Sequence, residues 1–82
     1  MINVNVKFFA LVRDITGRED KVLSLPTNAQ VAAVIDALIH EYPAMKEWKN
    51  HVRVAVNWEY VPLEHQLHDE DEVAIIPPVS GG

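Results

Sequence analysis

The residues best suited to chemistry close the sequence: Pro77-Pro78-Val79-Ser80-Gly81-Gly82. Two prolines hold an extended, stiff backbone, and two residues without side chains follow them. The terminal carboxylate of Gly82 is therefore suited to entering a narrow channel in another protein. Six extended residues reach up to ~20 Å, enough to arrive at a buried site. A stiff lead that thins to Gly-Gly at its last atom reads as a functional tail rather than a frayed end.

Elsewhere the candidates are weaker. The histidines are His40, His51, His65 and His68. His65 and His68 stand three apart before Asp69-Glu70-Asp71-Glu72, a conceivable metal site. The run lacks the alternating ligands and glycine of a calcium loop, so no metal is expected. The glycines are Gly17, Gly81 and Gly82, which leaves no Gly-rich phosphate loop. Ser24 or Ser80 could serve a Ser/His/Asp triad on paper, yet nothing in the sequence brings its members together. The carboxylates of 69–72 have no apolar wall to raise a pKa for acid catalysis. Cysteine is absent, which removes disulfides, thiolate catalysis, zinc-thiolate sites and iron–sulfur clusters. The chain is expected to bind no cofactor and to hold no active site of its own.

Eighty-two residues suffice for one domain with a single modest core. Seven basic residues against twelve acidic ones give a net charge of −5, which disfavours nucleic acid and anionic membranes as partners. Arg53 is the last basic residue, so Glu59, Glu64, Asp69, Glu70, Asp71 and Glu72 follow with no Lys or Arg behind them. This acidic third is either a solvated face or an electrostatic guide toward basic partners. Neither a signal core nor an apolar run of ~20 residues is visible, so a soluble, cytoplasmic protein is expected.

The elements that must carry the tail are readable from periodicity. Ile2, Val4, Val6 and Phe8 alternate with Asn3, Asn5, Lys7 and Phe9, predicting a half-buried strand with Phe9 outward beside Lys7. Ala10 to Ile15 suits a short helix stopped by Gly17. Lys21 to Leu25 is a second strand, ended by Pro26. Thr27-Asn28-Ala29-Gln30 fits a capping box, and Val31, Val34, Ile35, Leu38 and Tyr42 follow at helical spacing until Pro43. Val52, Val54 and Val56 mark a third strand. A turn near Trp58-Glu59 leads to a short fourth at Tyr60-Val61. Leu67 anchors a turn through 68–71, and Glu72 to Ile76 is the last strand, with Val73 and Ile75 inward. The expectation is an α+β domain, one sheet with a single main helix on one face. Phe9, Tyr60 and Ile76 then stand on the open face as exposed apolar groups.

Phe8-Phe9-Ala10-Leu11-Val12-Arg13-Asp14, Val54-Ala55-Val56-Asn57 and the segment from Leu67 through Pro77-Pro78-Val79-Ser80-Gly81-Gly82 together resemble MoaD-type proteins, small subunits of molybdopterin synthase. The resemblance spans essentially the whole chain. It implies the ubiquitin-like β-grasp fold, a mixed sheet of about five strands, with a folded domain over 1–76 and a functional tail over 77–82. It also implies a mechanism. An ATP-dependent adenylating enzyme activates the Gly82 carboxylate, and a sulfur donor protein converts the acyl-adenylate to a thiocarboxylate. The tail, Pro77 to Gly81, then inserts into the synthase large subunit, where sulfur passes to cyclic pyranopterin monophosphate. The acyl-adenylate supplies the leaving group that a free carboxylate lacks, and the catalytic residues lie on the large subunit. Phe9, Tyr60 and Ile76 correspond to the family's partner interface, so a hetero-oligomer is expected. A sulfur carrier for thiamine thiazole synthesis, or a ubiquitin-like modifier joined to proteins through Gly82, would share the same tail.

Overall fold

A computed structural model describes residues 1–78. The elements are β1 (Ile2–Phe8), α1 (Ala10–Thr16), β2 (Asp20–Leu25), α2 (Val31–Glu41), a 3₁₀ segment (Pro43–Trp48), β3 (Arg53–Val56), β4 (Glu59–Val61) and β5 (Glu72–Ile76). The strands form one sheet in the order β2-β1-β5-β3-β4. β1 and β5 run parallel at its centre, with Val6 opposite Val73 and Phe8 opposite Ile75. The remaining pairings are antiparallel.

Period-two alternation decides which face is covered. Val4, Val6, Phe8, Val54, Val56, Val73 and Ile75 point to one side and are buried. α2 supplies Val31, Val34, Ile35 and Leu38, while Val12, Met45 and Leu67 close the ends of the same core. Each such aliphatic side chain contributes roughly 1.5–3 kcal/mol by burial. α1 stops where expected: Gly17 sits at φ 71°, and its N–H donates to the carbonyl of Arg13 at 2.8 Å. A residue with a Cβ is disfavoured in that left-handed conformation.

The start of α2 differs from the capping box read in the sequence. Gln30 occupies the N-cap position, and no side chain caps the helix. Asn28, at φ 73°, turns the chain between Pro26 and Ala29 and carries Thr27 away from the first helical turn. Its hydroxyl instead accepts a 3.3 Å bond from the N-terminal ammonium of Met1. The free N–H groups of the helix are satisfied from a distant loop. Val31 donates to the His65 carbonyl at 2.9 Å and Ala32 to the Leu63 carbonyl at 3.0 Å. Tertiary structure has replaced the local cap. A working Ser or Thr cap is worth about 1 kcal/mol, so Thr27→Ala should change stability by less than about 0.5 kcal/mol, the range of a neutral surface change. Urea unfolding of the two proteins measures this, and a loss of a full cap's worth would restore the local reading.

The 3₁₀ segment was not legible. Pro43 ends α2 and opens this segment, which delivers one fully buried side chain, Met45. Among the described residues, no helix is long and apolar enough to cross a membrane.

Candidate functional site

Among the described residues no element covers the sheet face opposite α2, and its relief follows from side-chain size. Ala74 of β5 lies opposite Ala55 of β3, and Ala55 lies opposite Tyr60 of β4. Two methyl groups thus form a low floor. Phe9, Trp58, Tyr60 and Ile76 stand around it, enclosing a depression of about 420 Å³. Phe9, Tyr60 and Trp58 are exposed by 41%, 59% and 82%, an unusual cost for three aromatic rings on so small a domain. The structure brings Phe9, Tyr60 and Ile76 together on one face, as the alternation places them.

Charged groups frame this apolar floor. The Arg53 guanidinium lies 4.8 Å from the centre of the Tyr60 ring, within cation–π range. Arg53 also pairs in register with Ile76, the last residue of β5. On the other side Lys7 Nζ and Glu72 Oε1 are 2.9 Å apart. That hydrogen bond, helped by the carboxylate's charge, holds the Lys7 ammonium above its ordinary pKa. Glu72 is therefore answered by a cation from β1, sixty-odd positions away and invisible to a reading of charge along the chain.

The sequence reading also missed Trp58, which it treated as a turn residue. Asn57 and Trp58 have φ of 50° and 74°. Two consecutive positive φ values joining β3 to β4 are the signature of a type I′ turn, where Asn-Gly is the favoured pair. A bulky side chain in that conformation costs about 1–2 kcal/mol. Asn57 holds the turn through three bonds to the β5 entry. Its N–H donates to the Glu72 carbonyl at 2.8 Å, its Nδ2 to Asp71 Oδ1 at 2.9 Å, and its Oδ1 accepts from the Glu72 N–H at 3.0 Å. Asp71, almost fully buried, accepts the His68 N–H on its other oxygen at 2.7 Å. Asp69 Oδ1 accepts the Asn3 N–H at 2.8 Å. Asp69 and Asp71 thus staple the loop, while Glu59, Glu64, Asp69 and Glu70 are exposed and form the solvated face. Among the described residues, no three His, Asp or Glu side chains are placed to share a metal ion.

β5 lies between β1 and β3, so the tail departs from the middle of the sheet, where Ile76 borders the apolar depression. Pro77, half-buried, and Pro78, exposed, follow it. Val79, Ser80, Gly81 and Gly82 lie outside the described residues.

A five-stranded mixed sheet of this order, covered on one face by one main helix, is the β-grasp arrangement of ubiquitin-like proteins. Its uncovered face is an apolar surface at the root of a Gly-Gly tail. The chain belongs to the ThiS family, whose model matches residues 6–82. It is 40% identical over 85 residues to the molybdopterin synthase sulfur carrier subunit of Mycobacterium tuberculosis, with all of both chains covered. The sulfur carrier subunit of Arabidopsis thaliana is 35% identical over 81 residues, covering 99% of this chain and 84% of that one. Two solved structures are also similar. The small archaeal modifier protein 1 of Methanosarcina acetivorans superposes with a TM-score of 0.83 at 32% identity, covering 100% of this chain and 98% of that one. A chain from the complex of subunits 1 and 2 of the molybdopterin-converting factor of Helicobacter pylori has a TM-score of 0.71 at 26% identity, covering 99% and 100%.

Proposed function

We propose that this chain is the sulfur carrier and small subunit of a molybdopterin synthase. The full-length likeness to carrier subunits is the observation that carries this reading. It is supported by the apolar face at the tail's root, which suits docking onto a larger protein. The Gly82 carboxylate attacks the α-phosphorus of ATP on an adenylating enzyme, pyrophosphate leaves, and an acyl-adenylate forms. A sulfide-level nucleophile from a sulfur donor protein then displaces AMP, leaving a C-terminal thiocarboxylate. The thiocarboxylate sulfur attacks cyclic pyranopterin monophosphate within the large subunit, and water hydrolyses the resulting thioester, which leaves the sulfur on the pterin and returns Gly82 to a carboxylate. Phe9, Tyr60 and Ile76 seat the carrier on its partners, and Pro77 to Gly81 thread the tail. No cofactor is bound by the carrier, and ATP is consumed by the activating enzyme.

Incubation with adenylating enzyme, ATP and a sulfide source tests the reading by intact mass. The expected result is a shift equal to exchange of one oxygen for sulfur, followed by loss of that shift when large subunit and pterin substrate are added. Branched conjugates through Gly82 with no free thiocarboxylate would instead establish a protein modifier.

A further inference from the structure

Trp58 is the most exposed aromatic residue of the chain, and it occupies a backbone conformation that glycine would adopt without strain. A side chain that contributes little burial and strains its own turn is retained for something outside the folded chain. The turn itself is not loose: Asn57 ties it to Asp71 and Glu72 by three hydrogen bonds. The backbone that carries the indole is therefore held at a fixed place on the sheet rather than on a loose loop. The indole is continuous with Phe9, Tyr60 and Ile76 around the alanine floor. It also lines a second, smaller recess with Lys7, Phe9, Glu72 and Ala74.

We infer that Trp58 is a binding anchor, pre-set by the Asn57 clamp, that inserts into an apolar slot on the synthase large subunit. The inference rests on the carrier reading given under Proposed function. The chemistry of the occupant follows from the neighbours. Phe9, Ala55, Ala74 and Ile76 surround the indole with apolar groups, so a partner surface that covers them together with the indole has to be apolar too. Glu72, which lines the smaller recess beside the indole, is already matched by Lys7. A chain similar to this one is seen in the complex of subunits 1 and 2 of the Helicobacter pylori molybdopterin-converting factor, so the other subunit of the synthase is the occupant of this face. Rigid presentation lowers the ordering cost of docking, and buried tryptophans are among the commonest binding hot spots.

The test is Trp58→Gly, with Trp58→Phe and Phe9→Ala alongside, each titrated calorimetrically against the large subunit and melted alone. Trp58→Gly should weaken binding about tenfold or more, with a melting temperature unchanged or raised by a few degrees as strain is relieved. Trp58→Phe should recover most of the affinity. Wild-type affinity for Trp58→Gly, with Phe9→Ala weakened, overturns the inference and leaves the carrier reading intact. Wild-type affinity for both removes the docking face from the carrier reading, and this inference with it. A lowered melting temperature for Trp58→Gly makes Trp58 a structural residue and overturns the inference equally.

Discussion

One residue added after Gly82 should abolish thiocarboxylate formation while leaving the fold and its melting temperature unchanged. Acyl activation acts on a carboxylate at a fixed place, and one more residue moves that group by about 3.5 Å. Unless the addition is glycine, it also introduces a Cβ where two glycines leave none. Near-attack geometry requires reacting atoms to be held within about 3–3.5 Å, so such a displacement removes the advantage of positioning almost entirely. The domain should not register the change, because β5 ends at Ile76 and the core is complete without the tail. A bulky residue at Gly81 should slow loading by steric exclusion, again without unfolding. Intact mass after incubation with adenylating enzyme, ATP and sulfide reads both variants. Accumulation of the thiocarboxylate mass by the extended chain would refute the carrier reading.

What the sequence discloses depends on the range of the physics involved. β1, β5 and α2 are legible because burial on one face imprints a period on adjacent residues, and Ile2 to Phe8 repeats every second position for that reason. The same alternation places Phe9 and Ile76 outward and so brings most of the candidate site into view. The β3–β4 hairpin puts Tyr60 beside them, through its pairing with Ala55. The cap of α2 is different. Thr27 to Gln30 carries the right letters, but the N–H groups find carbonyls at Leu63 and His65, some thirty positions away. Trp58 is hidden for a related reason. Its exposure follows from the sign of φ at two residues, and that sign is fixed by Asn57 bonding to Asp71 and Glu72 across the sheet. A lone Asn-Trp pair between two strands is a weak hint, since Asn favours such turns and Trp does not. The acidic run is legible as a largely exposed stretch, but a charge count along the chain cannot see Lys7 beside Glu72. Met45, a single apolar residue in a polar stretch, imprints no period at all.

Phe8 and Phe9 offer the sharpest contrast, being adjacent residues of one type on opposite faces. Phe8 is 2% exposed and packs under the sheet, opposite Ile75 in the β1–β5 pairing. Phe8→Ala should destabilise the domain by about 3–5 kcal/mol, the usual cost of truncating a buried aromatic. At the usual 0.05–0.15 kcal/mol per residue a domain of this size has only about 4–12 kcal/mol to lose in all, so its melting transition should fall steeply. Phe9 is 41% exposed and borders the alanine floor. Phe9→Ala should cost about 1 kcal/mol of stability or less. It should nevertheless weaken binding to the large subunit by about 2 kcal/mol, roughly thirtyfold. Under the proposed function an adenylating enzyme acts on the same tail, whose root borders the same depression, so one apolar face would serve both encounters. The same loss is therefore expected there, and the two partners should compete for the carrier. Titration of each variant against each partner, with thermal melts in parallel, separates the two effects. If Phe9→Ala unfolds the domain, or binds both partners as well as the unaltered chain, this face is not where the carrier docks.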